Sequence, residues 1–162
     1  MSKLRPAVAL VACVLVASVA TATPAKATRT VTYQPPVDAP ITDPYRPPAT
    51  PYGPGNRGIE YGTAFGAPVR AAADGVVTFA GAVAGARYVT LRHADGLRTT
   101  VGPLQDIAVA AGQHVSAAEG LGTAAGRVLF TARRGSTYLD PASLFGGGAA
   151  RVRLVADRTR LH

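Results

Sequence analysis

Short runs of alternating apolar and polar residues follow one another from residue 58 to residue 139, and glycines close most of them. Alternation with a period of two is typical of a β-strand with one buried face. Glycine at intervals of roughly eight to twelve residues marks turns between such strands. The clearest strands span residues 75–80 and 88–93, which are rich in β-branched and aromatic side chains. The pattern therefore predicts an all-β domain.

Turn and cap residues refine this prediction. Asp95-Gly96 separates the strand at 88–93 from an apolar run at 97–101, and this dipeptide favours a tight hairpin. Further strands are expected at 127–133 and 137–139. Asp140 can cap a helix that begins at Pro141, so one short helical turn is expected near the C-terminus of the domain, ending at the glycines 146–148. We place the domain at residues 53–154, with an edge strand at 151–154 and a polar tail at 155–162.

The first 27 residues have the pattern of a secretory signal peptide. Lys3 and Arg5 precede an apolar run at 7–20, which small residues follow. Cleavage is expected after Ala22 or Ala27, and no transmembrane span is expected after cleavage. The predicted location is therefore outside the cytoplasm, in the cell envelope. Cys13 leaves a second possibility, a lipoprotein anchored through that residue.

Residues 28–52 are predicted to be a proline-rich extended linker. Proline at this density excludes a helix and disfavours regular strand pairing. Apolar and aromatic residues interrupt the segment, so part of it is expected to dock on the domain, the second half being better ordered than the first. The prolines stand at positions 35, 36, 40, 44, 47, 48, 51 and 54.

The net charge of the chain indicates which classes of partner it could bind. The chain has 17 basic and nine acidic residues, for a net charge of +8. A basic exported protein meets anionic lipids and wall polymers. Nucleic acid is not an expected partner, because the arginines are scattered and form no basic run with interleaved aromatic residues.

Several segments together resemble the lysostaphin/LytM-type family of zinc-dependent peptidoglycan endopeptidases. Their order along the chain is Asn-Arg-Gly-Ile-Glu at 56–60, Gly-Ala-Pro-Val at 66–69, Asp-Gly-Val-Val at 74–77, Leu-Arg-His at 91–93, Gly-Gln-His-Val at 112–115 and Arg-Val-Leu-Phe at 127–130. The resemblance implies a twisted antiparallel β-sandwich with a peptide-sized groove across one face. In the family, a His-x-Gly-x-Asp motif and a His-x-His-Phe motif supply zinc ligands, and two further histidines serve catalysis.

Carried over residue by residue, the resemblance puts the zinc ligands at Asn56, Glu60 and Leu129, and the catalytic histidines at Pro103 and Arg127. Only Glu60 offers a good metal ligand, whereas a catalytic zinc needs about three. The resemblance therefore implies a degenerate member of the family, with no bound zinc and no catalytic residue. Serine and cysteine catalysis are not expected either, since no nucleophile motif is present.

Four residues are candidates for binding in the groove: Arg57, Glu60, His93 and Arg127. Arg127 could pair with a ligand carboxylate, or it could simply neutralise Glu60. His93 could be a structural histidine beside the hairpin or a metal ligand. His114, in a predicted surface turn, is a weaker candidate for a metal.

Three functions stay open at this point. The first is a non-catalytic domain that binds peptidoglycan or regulates a cell-wall hydrolase. The second is an active zinc endopeptidase with an unorthodox ligand set that includes Glu60 and His93. The third is a structural envelope protein whose groove binds nothing.

Overall fold

The structure is a computed structural model that describes residues 30–50 and 53–146. The predicted signal peptide at 1–27, including Cys13, lies outside the described residues. So do the predicted edge strand at 151–154 and the tail at 155–162.

Eight β-strands and one 3₁₀-helix account for nearly all regular structure in the described residues. The strands are β1 Ile41–Asp43, β2 Ile59–Arg70, β3 Gly75–Val83, β4 Ala86–Arg92, β5 Arg98–Ile107, β6 His114–Val115, β7 Gly120–Arg134 and β8 Thr137–Leu139, and the 3₁₀-helix spans Pro141–Leu144. All strand pairs are antiparallel, in the order β1-β2-β7-β5-β4-β3-β6, and β8 pairs with β7. The all-β antiparallel prediction is confirmed, together with its single short helical turn.

Alternation along the long strand β7 separates the two faces of the sheet. Val128, Phe130 and Ala132 are each 1% exposed or less and form part of the hydrophobic core. Arg127 and Leu129 stand between them and point to the other side, because successive strand residues face opposite ways. We call this second side the outer face. Residues paired across neighbouring strands share a face, so the register of the sheet fixes which side chains the outer face holds.

The segment predicted as a linker belongs to the domain as far as the structure describes it. Tyr33 and Val37 are buried and join the hydrophobic core. Backbone hydrogen bonds hold the segment at intervals: Gln34 N donates to Ala72 O at 2.8 Å, and Arg70 N donates to Pro36 O at 2.8 Å. β1 then pairs with β2. Part of the segment thus docks on the domain, as its apolar and aromatic residues lead us to expect. Burial is also concentrated in the first half of the segment, not in the second.

The predicted turns are present. The Asp95-Gly96 turn joins β4 to β5, with Gly96 at φ +85°, where glycine is favoured. Asp140 accepts a hydrogen bond from Ala142 N at 2.9 Å and so caps the 3₁₀-helix that begins at Pro141. Within the described residues, no helix has the length and apolar character that a membrane span requires.

Candidate functional site

The outer face brings together most of the positions that the resemblance assigns to the active site. Glu60 of β2 lies directly opposite Leu129 of β7, and Leu129 lies opposite Gly102 of β5. Arg127 precedes Leu129 by two residues and so shares its face. Pro103 follows Gly102 across a cis peptide bond. These strands therefore gather a carboxylate, a guanidinium and the apolar side chain of Leu129, with Pro103 next to them in an irregular part of β5.

An ion pair joins the two charged members of the site. Arg127 Nη1 donates to Glu60 Oε2 at 3.3 Å, with the arginine side chain 69% exposed and the glutamate side chain 26% exposed. This is the pairing expected if Arg127 neutralises Glu60. An ion pair this exposed contributes about 0–1 kcal/mol to stability. Its consequence is chemical, because the only carboxylate of the site faces a fixed positive charge.

Asn56 is buried, and its side chain is committed to the backbone. Its Nδ2 donates to the carbonyls of Asp43 at 3.2 Å and Pro44 at 3.3 Å, and its Oδ1 accepts from Gly58 N at 3.0 Å. Its own backbone N and O also bond to Arg46, at 2.8 and 2.9 Å. The amide thus fastens the chain just after β1 to the start of β2. Both amide hydrogens and the amide oxygen already have partners, so Asn56 is not available as a ligand.

We expect Asn56→Ala to lower the free energy of unfolding by about 1–3 kcal/mol, because it leaves buried backbone groups without partners. Chemical denaturation followed by circular dichroism measures the change. Gln105→Ala is the matched control: it removes an exposed amide, and we expect a change within about 0.5 kcal/mol. Equal losses in the two variants would contradict the fastening role of Asn56.

Comparison with known proteins places this arrangement in a family. The family model described as Peptidase family M23 matches residues 54–141. The chain belongs to Peptidase family M23. An uncharacterized protein of Mycobacterium tuberculosis, Rv2891, is 33% identical over 122 residues, which cover 67% of this chain and 49% of that protein. The chain thus spans about half the length of the curated relatives it matches.

Solved structures agree with this fold. Csd3 of Helicobacter pylori is similar with a TM-score of 0.63 at 21% identity, covering 71% of this chain and 35% of that one. The catalytic domain of the antimicrobial peptidase lysostaphin, from Staphylococcus simulans, is similar with a TM-score of 0.57 at 22% identity, covering 65% of this chain and 90% of that domain. At these identities, the two structures show the M23 fold alone.

The residues of this M23 domain do not fit a zinc ion. Of the three assigned ligand positions, Glu60 alone has a suitable donor, and it is paired with Arg127. The Asn56 amide is engaged with the backbone on both its nitrogen and its oxygen, and Leu129 has no donor atom. Across residues 30–50 and 53–146, no group of three or more His, Cys, Asp or Glu side chains is placed to hold a metal. A tetrahedral zinc site with about three protein ligands cannot be assembled from these groups.

His93 is a structural residue of the core, not a residue of the groove. Its side chain is buried, with Nδ1 at 2.7 Å from Asp74 O and Nε2 at 2.8 Å from Thr99 Oγ1. Since a carbonyl only accepts, Nδ1 carries the proton and Nε2 accepts from the threonine hydroxyl. The edge of the Tyr33 ring packs against the imidazole at a centroid distance of 5.0 Å. Burial lowers the pKa of His93 and keeps it neutral.

The position of His93 also corrects two expectations from the sequence. Its partner Thr99 is buried and lies opposite the buried residues Leu91 and Ala132, so this contact is on the core face. Glu60 lies on the outer face. The structure therefore does not bring Glu60 and His93 into one ligand set, and His93 is removed from the candidates for binding in the groove.

The two other candidates lie apart from the ion pair. Arg57 lines an open hollow of about 440 Å³ with Tyr45 and Tyr138, whose lining contains neither Glu60 nor Arg127. His114 is exposed and begins β6, so the predicted surface turn is a short strand. Of the four predicted groove residues, the structure unites Glu60 and Arg127.

Sequence reasoning overlooked a second group of charged residues on the outer face. Arg92, Arg98 and Arg133 come from three neighbouring strands and are brought into line only by the register of the sheet. The sequence alone assigns none of these three arginines a binding role. Their spacing in the sequence carries no signal, since the alignment exists only once β4, β5 and β7 pair.

Proposed function

We propose that this M23 domain binds peptidoglycan through its outer face without hydrolysing it. The observation that supports this most is the ion pair between Glu60 and Arg127 at the position where the family binds its metal. A divalent cation about 4 Å from the guanidinium would be repelled by about 2 kcal/mol even at the dielectric constant of water. The groups that activate water in the active relatives are also missing, since Pro103 and Arg127 occupy the catalytic positions.

The guanidinium of Arg127 gives the site something to bind with. A guanidinium has five N–H donors, and in the described part of the chain only Nη1 of Arg127 is hydrogen-bonded. Because the side chain is 69% exposed, the remaining donors are accessible to a ligand. Arginine pairs with carboxylates through two parallel hydrogen bonds, and the stem peptides of peptidoglycan end in carboxylates. Arg127 would thus bind a peptide carboxylate where the active relatives bind zinc.

The role has a second form, in which the same face engages a cell-wall hydrolase and regulates it. An acidic side chain on such a partner would meet the same guanidinium. Both forms require export to the cell envelope, which the predicted signal peptide at 1–27 supports. In the second form, the protein would change the rate at which an added wall amidase digests sacculi.

Retention on purified peptidoglycan sacculi tests the first form. We expect the chain lacking residues 1–27 to sediment with sacculi and Arg127→Ala to weaken retention about tenfold, the loss of one bidentate carboxylate contact. Glu60→Gln should have the opposite effect, because it releases the guanidinium from its internal partner. Arg70→Ala is the matched control, since it removes an exposed arginine at the end of β2, away from the ion pair, and should leave retention unchanged.

Two results would overturn this proposal. Equal retention of the wild type and of Arg127→Ala would mean that the guanidinium only neutralises Glu60. Release of soluble peptides from sacculi by the wild-type chain in micromolar zinc, abolished by a chelator, would show an active endopeptidase. If neither sacculi nor an added hydrolase retains the protein, the structural role is favoured.

A further inference from the structure

Cross-strand pairing aligns a row of cationic residues across the outer face. Arg92 of β4 lies opposite Arg98 of β5, which lies opposite Arg133 of β7. Val76 of β3 connects the row to His114 of β6, since it pairs with Arg92 on one side and with His114 on the other. Strands lie about 4.8 Å apart, so the three arginines fall on a line about 10 Å long. We call Arg92, Arg98 and Arg133 the arginine row.

No hydrogen-bonded carboxylate within residues 30–50 and 53–146 neutralises this row. Like charges directly opposite each other in neighbouring strands are destabilising. The acidic side chains that form hydrogen bonds use other partners, and in the described part of the chain none of these is an arginine of the row. Those carboxylates are Asp43, Glu60, Asp74, Asp95, Asp106, Glu119 and Asp140. Repulsion among the three aligned guanidinium groups therefore destabilises the fold, and none of these carboxylates offsets it through a hydrogen bond.

The hollow beside the row has both apolar and hydroxyl groups. Arg98 and Arg133 line it together with Phe79 and Val83, and its volume is about 430 Å³. Phe79 is 38% exposed and Val83 54% exposed, so apolar surface faces solvent next to the charges. Thr78 and Thr90 complete the lining. This mixture suits a ligand with carboxylates on an apolar or amide backbone better than a bare chain of phosphates.

We propose that the arginine row is a binding surface for an extended acidic peptide. The proposal rests on the binding role given above and names the ligand chemistry of that face. Arg133 lies six residues beyond Arg127 on the same face of β7, about 20 Å along the strand. An extended peptide about six residues long that runs along β7 could reach both arginines, with one carboxylate at Arg127 and one at Arg133, whereas a peptide that crosses the strands would meet the three arginines of the row.

The probe is a fluorescein-labelled peptide with four repeats of Glu-Ala, and the control probe has four repeats of Gln-Ala. In an extended chain, the glutamates of the first peptide share one side at a spacing of about 7 Å. We measure binding by fluorescence anisotropy at low and physiological salt, using the chain without residues 1–27. Polyphosphate and vesicles of anionic phospholipid serve as competitors, so that the other anionic partners are tested in the same assay.

We expect the Glu-Ala peptide to bind, the Gln-Ala peptide not to bind, and Arg98→Gln to weaken binding about tenfold. The same variant should raise the melting temperature by about 2 °C at low salt, because it removes the central like charge. Arg133→Gln should behave in the same way, which guards against a folding defect in one variant. Arg70→Gln is the matched control and should change neither quantity. Salt should weaken binding in the wild type.

Equal weakening by Arg98→Gln and Arg70→Gln would overturn the proposal, as would equal binding of the two peptides. Tighter binding of polyphosphate or of vesicles would overturn it in favour of a phosphate ligand. The outcome is separable from that of the sacculi assay. If Arg98→Gln weakens peptide binding and the protein is not retained on sacculi, the arginine row is supported as a peptide-binding surface and peptidoglycan is rejected as the ligand. If the protein is retained on sacculi but does not bind the peptide, the proposal for the arginine row is rejected and the proposed function still stands.

Discussion

A chain carrying Asn56→His, Glu60→Asp, Leu129→His and Arg127→His should bind one zinc ion, whereas the wild-type chain should bind none. The register of β2 and β7 is the reason. Residues 60 and 129 lie directly opposite each other on the outer face, so a carboxylate and an imidazole introduced there start from Cα atoms about 5 Å apart. The substituted chain would then have the number and type of ligands that zinc requires.

The fourth substitution is needed because Arg127 is a cation inside the site. A chain with the first three substitutions alone keeps the guanidinium, which repels a divalent ion by about 2 kcal/mol. We therefore expect its zinc affinity to be at least tenfold below that of the fourfold variant, since about 1.4 kcal/mol corresponds to a factor of ten. The difference between the two variants isolates the contribution of Arg127 from that of the missing ligands.

Zinc binding is measured as the zinc content per chain, after equilibration with micromolar zinc and removal of free metal. This measurement needs no assay of activity. Circular dichroism must accompany it, because Asn56→His removes the amide that fastens β1 to β2. A folded fourfold variant without zinc would show that the backbone of the site has moved as well as its side chains. Stoichiometric zinc in the wild type, retained against a chelator, would contradict the non-catalytic interpretation altogether.

Local chemistry explains which parts of the fold could be predicted from the sequence. The strands, the Asp95-Gly96 hairpin and the Asp140 cap depend on neighbours a few residues away, and those that fall within residues 30–50 and 53–146 are present. The packing of Tyr33 and Val37 could not be predicted in this way. Their partners lie far along the chain, and the dense prolines around them favour an exposed linker. Proline prevents regular pairing, but the single backbone bonds and buried side chains of this segment do not require such pairing.

The same distinction applies to the site. The pairing of Glu60 with Arg127 could be anticipated because the family resemblance places both positions in one groove. The hydrogen bonds of the Asn56 amide could not be anticipated, because its partners Asp43 and Pro44 belong to the segment predicted as a linker. The arginine row depends on the register of three strands, which alternation in each strand leaves undetermined. Side chains that a local motif or the family resemblance positions are thus predictable, whereas those that strand register alone positions are not.

Two of the assigned ligand positions hold contacts of their own. Asn56 joins the N-terminal segment to the sheet, and Glu60 pairs with a cation. A return to metal binding therefore competes with contacts that stabilise or neutralise the present structure. The fourfold variant should accordingly be less stable than the wild type without zinc and more stable with it, since a ligand that binds only the folded state stabilises that state.

His93→Ala should lower the free energy of unfolding by about 3 kcal/mol. It creates a cavity beside Tyr33 and leaves the buried Thr99 Oγ1 and the partly buried Asp74 O without their partner. For a domain of this size, the melting temperature should fall by more than about 10 °C. His114→Ala removes an exposed imidazole and should change stability by less than about 0.5 kcal/mol. Similar losses in both variants would contradict the structural role of His93.

The pH dependence of stability gives a second and independent test of that role. Burial lowers the pKa of His93 in the folded state below the usual value of 6.5, although the Asp74 carbonyl and the charges of Asp95 and Asp74 act in the opposite direction. The unfolded chain therefore binds a proton at His93 more readily than the folded chain does. The contribution of His93 to stability is fully present above about pH 6.5 and is lost as the pH falls through its folded pKa.

Urea denaturation between about pH 5 and pH 8 should show stability falling toward acid in the wild type and in His114→Ala. The fall should be smaller in His93→Gln, which has no titrating group at this position. An equal fall in all three chains would mean that other groups control the acid response and that the imidazole is not buried in its neutral form.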